Sequence, residues 1–248
     1  MKRLIIFPDI HGRKFWKEPF EKYKDNEDIG FIFLGDYLDA YGFEGISNID
    51  AIDNFKDILN NCIDHPRTIM LLGNHDIHYL PPLDKEWGCR RYNFNIKEIQ
   101  ELFLNNLNKF KISFVIENIN NKKYVFSHAG FTQGWIDQIK RIFNREITVE
   151  NASELLFSED GLTILSMVGP ERGGYWRDNG SCVWADVNEH FGVSLDGIYQ
   201  IFGHTLSFPD YNDFNKFDIN ESFAMLDSRQ PFILDIKNGE LKPLENLE

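Results

Sequence analysis

Six residues of this chain are of types that together hold metal ions: Asp9, His11, Asp36, Asn74, His128 and His204. Divalent ions such as Mn2+, Fe2+ and Zn2+ accept mixed imidazole and carboxylate donors. Asp9 and His11 stand two apart on what reads as an extended segment, which puts both side chains on one face, ready to share one ion. Asp36 brings a carboxylate whose two oxygens can bridge a pair of ions. Asn74 adds a neutral oxygen, and His128 and His204 add nitrogens. Singly, each has an ordinary explanation. A strand-end aspartate is usually a turn or helix cap, a histidine after a strand is commonly a satisfied polar residue, and Asn74 after Gly73 reads as a turn residue. The joint pattern points to a metal centre, because each cluster closes an apolar run.

Those runs define the elements that must position the site. Residues 4–7, 29–34 and 68–72 are short apolar stretches ending in Asp9-Ile10-His11-Gly12, Gly35-Asp36 and Gly73-Asn74-His75-Asp76. Between them, 15–23 and 49–63 have helical character, the second with Ile52, Phe55, Ile58, Leu59 and Ile63 close to helical spacing. Such alternation predicts right-handed βαβ units and a largely parallel sheet, whose ligands gather at the carboxyl ends of the strands. In the second half, 112–117 and 123–126 flank an Asn-rich turn and predict a hairpin that runs into His128. Helices are expected over 134–143 and 153–168, followed by a glycine-rich loop at 169–181. Residues 199–202 lead into Gly203-His204, and strands at 223–226 and 232–236 precede the turn Asn238-Gly239 and a last strand from Leu241. The expected fold is α/β: two packed mixed β-sheets flanked by helices, in a single domain over 1–248 with a partial cap at 134–180.

Bulk properties narrow the partners. A length of 248 residues suits one large domain, and a formal charge of −13 disfavours duplex nucleic acid. Two bound divalent cations cancel part of that charge. The three cysteines, at 62, 89 and 182, match no zinc spacing and read as reduced thiols. Asp9 and His11 interrupt the first apolar run too soon for a signal peptide. No stretch nears the roughly 18 apolar residues of a membrane span. A cytoplasmic protein with no membrane partner is expected, and the sequence carries no indication of oligomeric state.

Five segments carry a resemblance: Asp9-Ile-His11-Gly12, Gly35-Asp36-Tyr-Leu-Asp39, Gly73-Asn74-His75-Asp76, His128-Ala-Gly130 and Gly203-His204-Thr205. In order and composition they resemble the signatures of calcineurin-like metallophosphoesterases, and within these the phosphoprotein phosphatase branch. The resemblance implies two divalent ions, Mn2+ foremost with Fe or Zn as alternatives. Asp9, His11 and Asp36 are to hold one, and Asp36, Asn74, His128 and His204 the other, with Asp36 bridging. It further implies in-line attack on phosphorus by a hydroxide shared between the ions. His75 then acts as general acid and Asp39 holds it protonated. Asp76 is expected to cap or support rather than react.

Two departures bear on the substrate. The arginine that follows the second signature in that branch is missing, since Ala40-Tyr41-Gly42 comes after Asp39. Arg172 and Arg177 in the glycine-rich loop are candidates for phosphate binding, with Arg90 and Arg91 further afield. Position 206 is Leu, where phosphodiesterase branches often place another histidine. The expected activity is therefore hydrolysis of phosphomonoesters in the manner of serine/threonine protein phosphatases, on a phosphorylated protein or a small phosphate ester. The stretch Gly73-Asn-His-Asp-Ile-His78-Tyr-Leu80 also resembles diadenosine tetraphosphate hydrolases, so a dinucleoside polyphosphate hydrolase is the alternative. His78 itself reads as an exposed helix residue. A binding scaffold without catalysis is the remote third reading.

Overall fold

The computed structural model describes residues 1–81, 94–175, 178–191, 195–205 and 217–245. The apolar runs become strands. β1 (Arg3–Phe7), β2 (Ile29–Phe33), β3 (Thr68–Leu71) and β4 (Phe110–Lys111) lie parallel and in sequence order. β10 (Phe232–Asp235) pairs antiparallel with β1, and β11 (Leu241–Pro243) with β10, which completes a six-stranded sheet. The second sheet has five strands. β5 (Ser113–Ile119) and β6 (Lys122–Ser127) form the expected antiparallel hairpin. β7 (Ile198–Phe202) and β9 (Phe223–Met225) follow in parallel, and β8 (Asp218–Ile219) closes the edge.

Alternation along the buried strands assigns their two faces. Leu4, Ile6, Ile32, Leu34 and Leu71 pack against Phe126, Ile201, Ala224 and Leu226 between the sheets. Ile5, Phe7, Phe31 and Phe33 point the other way, toward Phe20 of α1 (Lys17–Tyr23) and Ile52, Phe55 and Ile58 of α2 (Asn48–Asn61). The fold is thus α/β, with two mixed sheets packed face to face and helices outside. α2 starts at a capping box: Asp50 N–H donates to Ser47 Oγ at 3.1 Å, and Ser47 N–H to Asp50 Oδ2 at 3.2 Å.

The helix expected over 153–168 is instead two pieces, a 3-10 segment at Ala152–Phe157 and a short helix at Gly161–Leu165. The break is a close approach: a Cβ on Gly161 would lie 1.7 Å from the Leu155 carbonyl oxygen. Among the described residues the other α-helices are the single turn Asn74–Ile77, Ile96–Leu104 and Gln133–Phe143, the last of which buries Trp135 and Ile139 in the core. No described helix is long and apolar enough to cross a membrane. Cys62 and Cys182 are buried free thiols, and Cys89 lies outside the described residues.

Candidate metal centre

The carboxyl ends of β1, β2, β3, β6 and β7 converge on one rim, and all six candidate ligands meet there. Nε2 of His128 lies 3.0 Å from Asn74 Oδ1, 3.1 Å from His204 Nδ1 and 3.4 Å from Asp36 Oδ2. The same Asp36 oxygen lies 3.4 Å from Nε2 of His11. Among the described residues three groups have donor atoms within 4.8 Å of one another: Asp39/His75/His78 beside the rim and, on it, the two groups Asp9/His11/Asp36 and Asp36/His128/His204. Asp36 belongs to both.

Local geometry departs from the extended segment expected for Asp9 and His11. β1 ends at Phe7, and Asp9 (φ 23°) and His11 (φ 42°) take left-handed conformations. Their convergence comes from loop pairing instead of strand alternation. The N–H groups of Ile10, His11 and Gly12 donate to the carbonyls of Gly35, Asp36 and Tyr37 at 3.3, 2.6 and 3.0 Å. Asp36 (φ 55°), Asp39 (φ 59°) and His204 (φ 67°) are left-handed too. Such conformations cost free energy and persist only where surrounding contacts fix them.

Those contacts are specific. Asp76 is fully buried, and its carboxylate accepts from the backbone N–H groups of Asp36, Tyr37 and Gly73 at 2.7, 2.9 and 2.8 Å. It ties the end of β2 to the end of β3, the supporting role expected of it. His204 N–H donates to Asp9 Oδ1 at 2.9 Å, which joins the two sheets. Nδ1 of His11 and of His128 contact the carbonyls of Leu38 and Leu34 at 2.8 and 2.9 Å. When each Nδ1 carries the proton toward its carbonyl, Nε2 presents its lone pair inward. Two glycines keep the centre tight. A Cβ at position 73 would stand 2.1 Å from Asp36 Oδ1, and one at position 203 would stand 1.8 Å from Asp9 Oδ2.

Burial and charge decide the protonation states. Burial, then Asp227 and Asp36, holds the Asp9 carboxyl well above its ordinary range. Burial also acts on Asp36, but His128, His75 and His11 outweigh it and hold its carboxyl well below that range. Burial opposes charge on His128, yet Asp36 and Asp9 prevail and raise it to about 9. Burial, with Arg172, pushes His204 well below the usual imidazole range. Asp9 Oδ2 is buried with no hydrogen-bond partner, which is costly unless a cation meets it. That orphaned carboxylate oxygen, the mixed nitrogen and oxygen donors and the absence of Cβ atoms at 73 and 203 all fit a cation centre.

His75 sits beside this centre. Its Nδ1 is 2.9 Å from Asp39 Oδ2, and its ring centroid is 5.1 Å from that of His11. His78, expected to be exposed, is instead buried against the same carboxylate, with Nε2 3.2 Å from Asp39 Oδ2 and a side chain only 5% exposed. His78 follows His75 by three residues and caps the short turn in helical conformation, so both rings face the same carboxylate. Tyr79 donates its hydroxyl to Asp39 Oδ1 at 2.5 Å. Asp39 therefore gathers three side chains, two of which sequence reasoning missed.

Arg172 reaches the rim on the His204 side. Its Nε pairs with Asp186 Oδ2 at 2.8 Å, and Nη2 donates to Thr205 Oγ1 at 2.6 Å and to the His204 carbonyl at 3.2 Å. It borders a cavity of about 420 Å³ lined also by Tyr41, Asp186, Phe191 and His204. Arg177, Arg90, Arg91 and Leu206 lie outside the described residues. On the His11 side a second cluster emerges that the sequence did not reveal. Arg13 donates to both Glu44 oxygens at 2.9 and 3.0 Å and to the Asp9 carbonyl at 2.9 Å, while Arg229 Nη2 pairs with Glu44 Oε1 at 2.8 Å.

A pair of packed mixed sheets with Asp, His and Asn donors at converging strand ends forms a candidate site for divalent cations. The sequence model of the calcineurin-like phosphoesterase family matches residues 2–208, and the chain belongs to that family; it is a metal-dependent phosphatase. The family depends on a dinuclear metal centre. No curated protein matches the sequence. Among solved structures, the chain is similar to a candidate diadenosine tetraphosphatase at 13% identity and a TM-score of 0.45, over 98% of this chain and 93% of that one. It is also similar to a protein serine/threonine phosphatase from Saccharomyces cerevisiae with similarity to human phosphatase PP5, at 14% identity and a TM-score of 0.48, over 99% of this chain and 80% of that one.

Proposed function

We propose that the chain hydrolyses phosphomonoesters at a two-metal site, in the manner of a serine/threonine protein phosphatase. One observation carries the reading: Asp36 Oδ2 stands 3.4 Å from both His11 Nε2 and His128 Nε2, so one carboxylate serves two donor groups. Asp9, His11 and Asp36 are to hold one ion, and Asp36, Asn74, His128 and His204 the other. The donor set suits Mn2+, Fe2+ or Zn2+ better than Ca2+. When bound, the ions supply positive charge toward the phosphoryl oxygens and lower the pKa of water.

The chain's own residues do the rest. His75, oriented by Asp39, donates a proton to the leaving oxygen. His78 and Tyr79 fix the Asp39 carboxylate from two further directions. Asp76 fixes the backbone at Asp36 and Gly73, so the ligand loops need little reorganisation as charge develops on the phosphoryl group. Arg172 is held by Asp186 and Thr205 beside His204, where its charge faces the cavity next to the centre.

The contact of His78 with Asp39 supports a second reading, because His78 is the residue that carries the likeness to dinucleoside polyphosphate hydrolases. The discriminating experiment compares metal-loaded protein on a phosphoserine peptide and on a dinucleoside tetraphosphate. The proposal expects kcat/KM at least tenfold higher on the peptide; the reverse order would replace it with the second reading.

A further inference from the structure

Among the described residues, ten other than glycine take a left-handed backbone conformation. Four are asparagines, Asn118, Asn120, Asn121 and Asn144, the residue type that tolerates it. Five are Asp9, His11, Asp36, Asp39 and His204, all at the centre described above. The tenth is Arg229, at φ 58°, in the turn after β9. Nothing in arginine's local chemistry favours this conformation, so tertiary contacts must impose it, as they do at the other five.

Those contacts lead to the centre through Tyr41 and Glu44. The Arg229 guanidinium lies over the ring of Tyr41 at 5.8 Å and over that of Phe43 at 5.4 Å. The Tyr41 ring in turn meets the His11 ring edge-on at 5.2 Å. Nη2 of Arg229 pairs with Glu44 Oε1 at 2.8 Å, and Arg13 occupies both oxygens of the same carboxylate. Glu44 is thus a fixed post. Arg13 is buried and braces the Asp9 carbonyl behind the ligands. Arg229 is half-buried, its side chain 17% exposed, with its guanidinium 5.4 Å from the ring of Phe43, which is 64% exposed.

The centre gathers Asp9, Asp36 and Asp227, all buried carboxyl groups. A phosphate ester approaching them brings further negative charge. A planar guanidinium matches phosphoryl oxygens in pairs. Resting on the phosphatase reading above, we propose that Arg229, posted by Glu44 and Tyr41, is a phosphate-binding residue that grips the non-reacting oxygens of the substrate on the His11 side.

The test uses the full chain loaded with Mn2+ and three readouts: KM for p-nitrophenyl phosphate, calorimetric binding of inorganic phosphate, and metal content. Arg229→Gly is the main variant, since glycine adopts the left-handed conformation without strain and removes the guanidinium. KM and the phosphate Kd should both rise roughly 10- to 100-fold, as expected for loss of a charge-assisted contact, with metals per chain unchanged. Arg229→Lys, which keeps charge without the planar fork, should fall between and serves as the decisive variant if the glycine variant fails to fold. KM and phosphate Kd within twofold of wild type in a folded variant would overturn the proposal. Phosphate binding that depends on Arg229, in a protein that hydrolyses no ester, would overturn the phosphatase reading and leave the anion site standing. Wild-type protein that neither hydrolyses nor binds phosphate would overturn both.

Discussion

Nε2 of His128 and Oδ2 of Asp36 stand 3.4 Å apart in the buried centre. In the metal-free protein this contact keeps a proton on His128 up to a pH of about 9, against an ordinary value of 6.5. A metal ligand must give that proton up, so metal affinity should rise with pH by about tenfold per unit until near 9. The raised Asp9 carboxyl acts in the same direction. Without metal the sign reverses. A folded-state value above the unfolded one stabilises fully below pH 6.5 and is lost as pH climbs through 9. Thermal melts across this range should show metal-free protein weakening and metal-loaded protein gaining. PH-independent metal affinity would remove His128 from the ligand set.

His75 offers a separate handle, because its Nδ1 meets Asp39 at 2.9 Å. Loss of a general acid costs roughly 10²–10⁴ in rate, and the cost grows with the basicity of the leaving group. His75→Asn should therefore depress hydrolysis of a phosphoserine ester far more than that of p-nitrophenyl phosphate, with metal content intact. Asp39→Asn should show a milder form. Equal losses on both substrates, or loss of metal, would make His75 a ligand or an electrostatic clamp.

Gly203 tests how tightly the sheets close on the centre. A Cβ there would meet Asp9 Oδ2 at 1.8 Å, so Gly203→Ala must displace either the ligand or the loop. Overpacking of this kind typically costs about 1–3 kcal/mol. The variant should melt lower and bind less metal, as read by calorimetry and metal analysis. Wild-type metal content and stability together would contradict the close approach.

Much of this was readable from residue order. Short apolar strands that end abruptly in polar residues mark the candidate ligands, because buried parallel strands are apolar throughout and polar side chains survive only past their ends. The helical spacing over 49–63 and the turn at Asn238-Gly239 are local signals, and the helix forms at Asn48–Asn61, with Gly239 taking the left-handed conformation of a turn. What was hidden depends on contacts between distant loops. The left-handed turns at Asp9 and His11 are held by residues 35–37, so an extended reading of residues 9–11 misjudges the backbone, although the side chains of Asp9, His11 and Asp36 still come together. His78 reads as an exposed helix residue from the sequence, because its burial depends on the contact with Asp39 from a distant loop. The Arg13–Glu44–Arg229 cluster joins three segments with no common pattern, and Arg177 lies outside the described residues.

The central claim is that one carboxylate, Asp36, serves two ions. The most direct measurement is metal stoichiometry with matched activity for wild type and Asp36→Asn, after exhaustive chelation and stepwise return of Mn2+. The account predicts two ions per wild-type chain, activity that vanishes in chelator and returns only as both sites fill, and a variant in which affinity falls at both sites together. Two ions bound by Asp36→Asn at wild-type affinity, or full activity in the fully stripped wild-type protein, would contradict it.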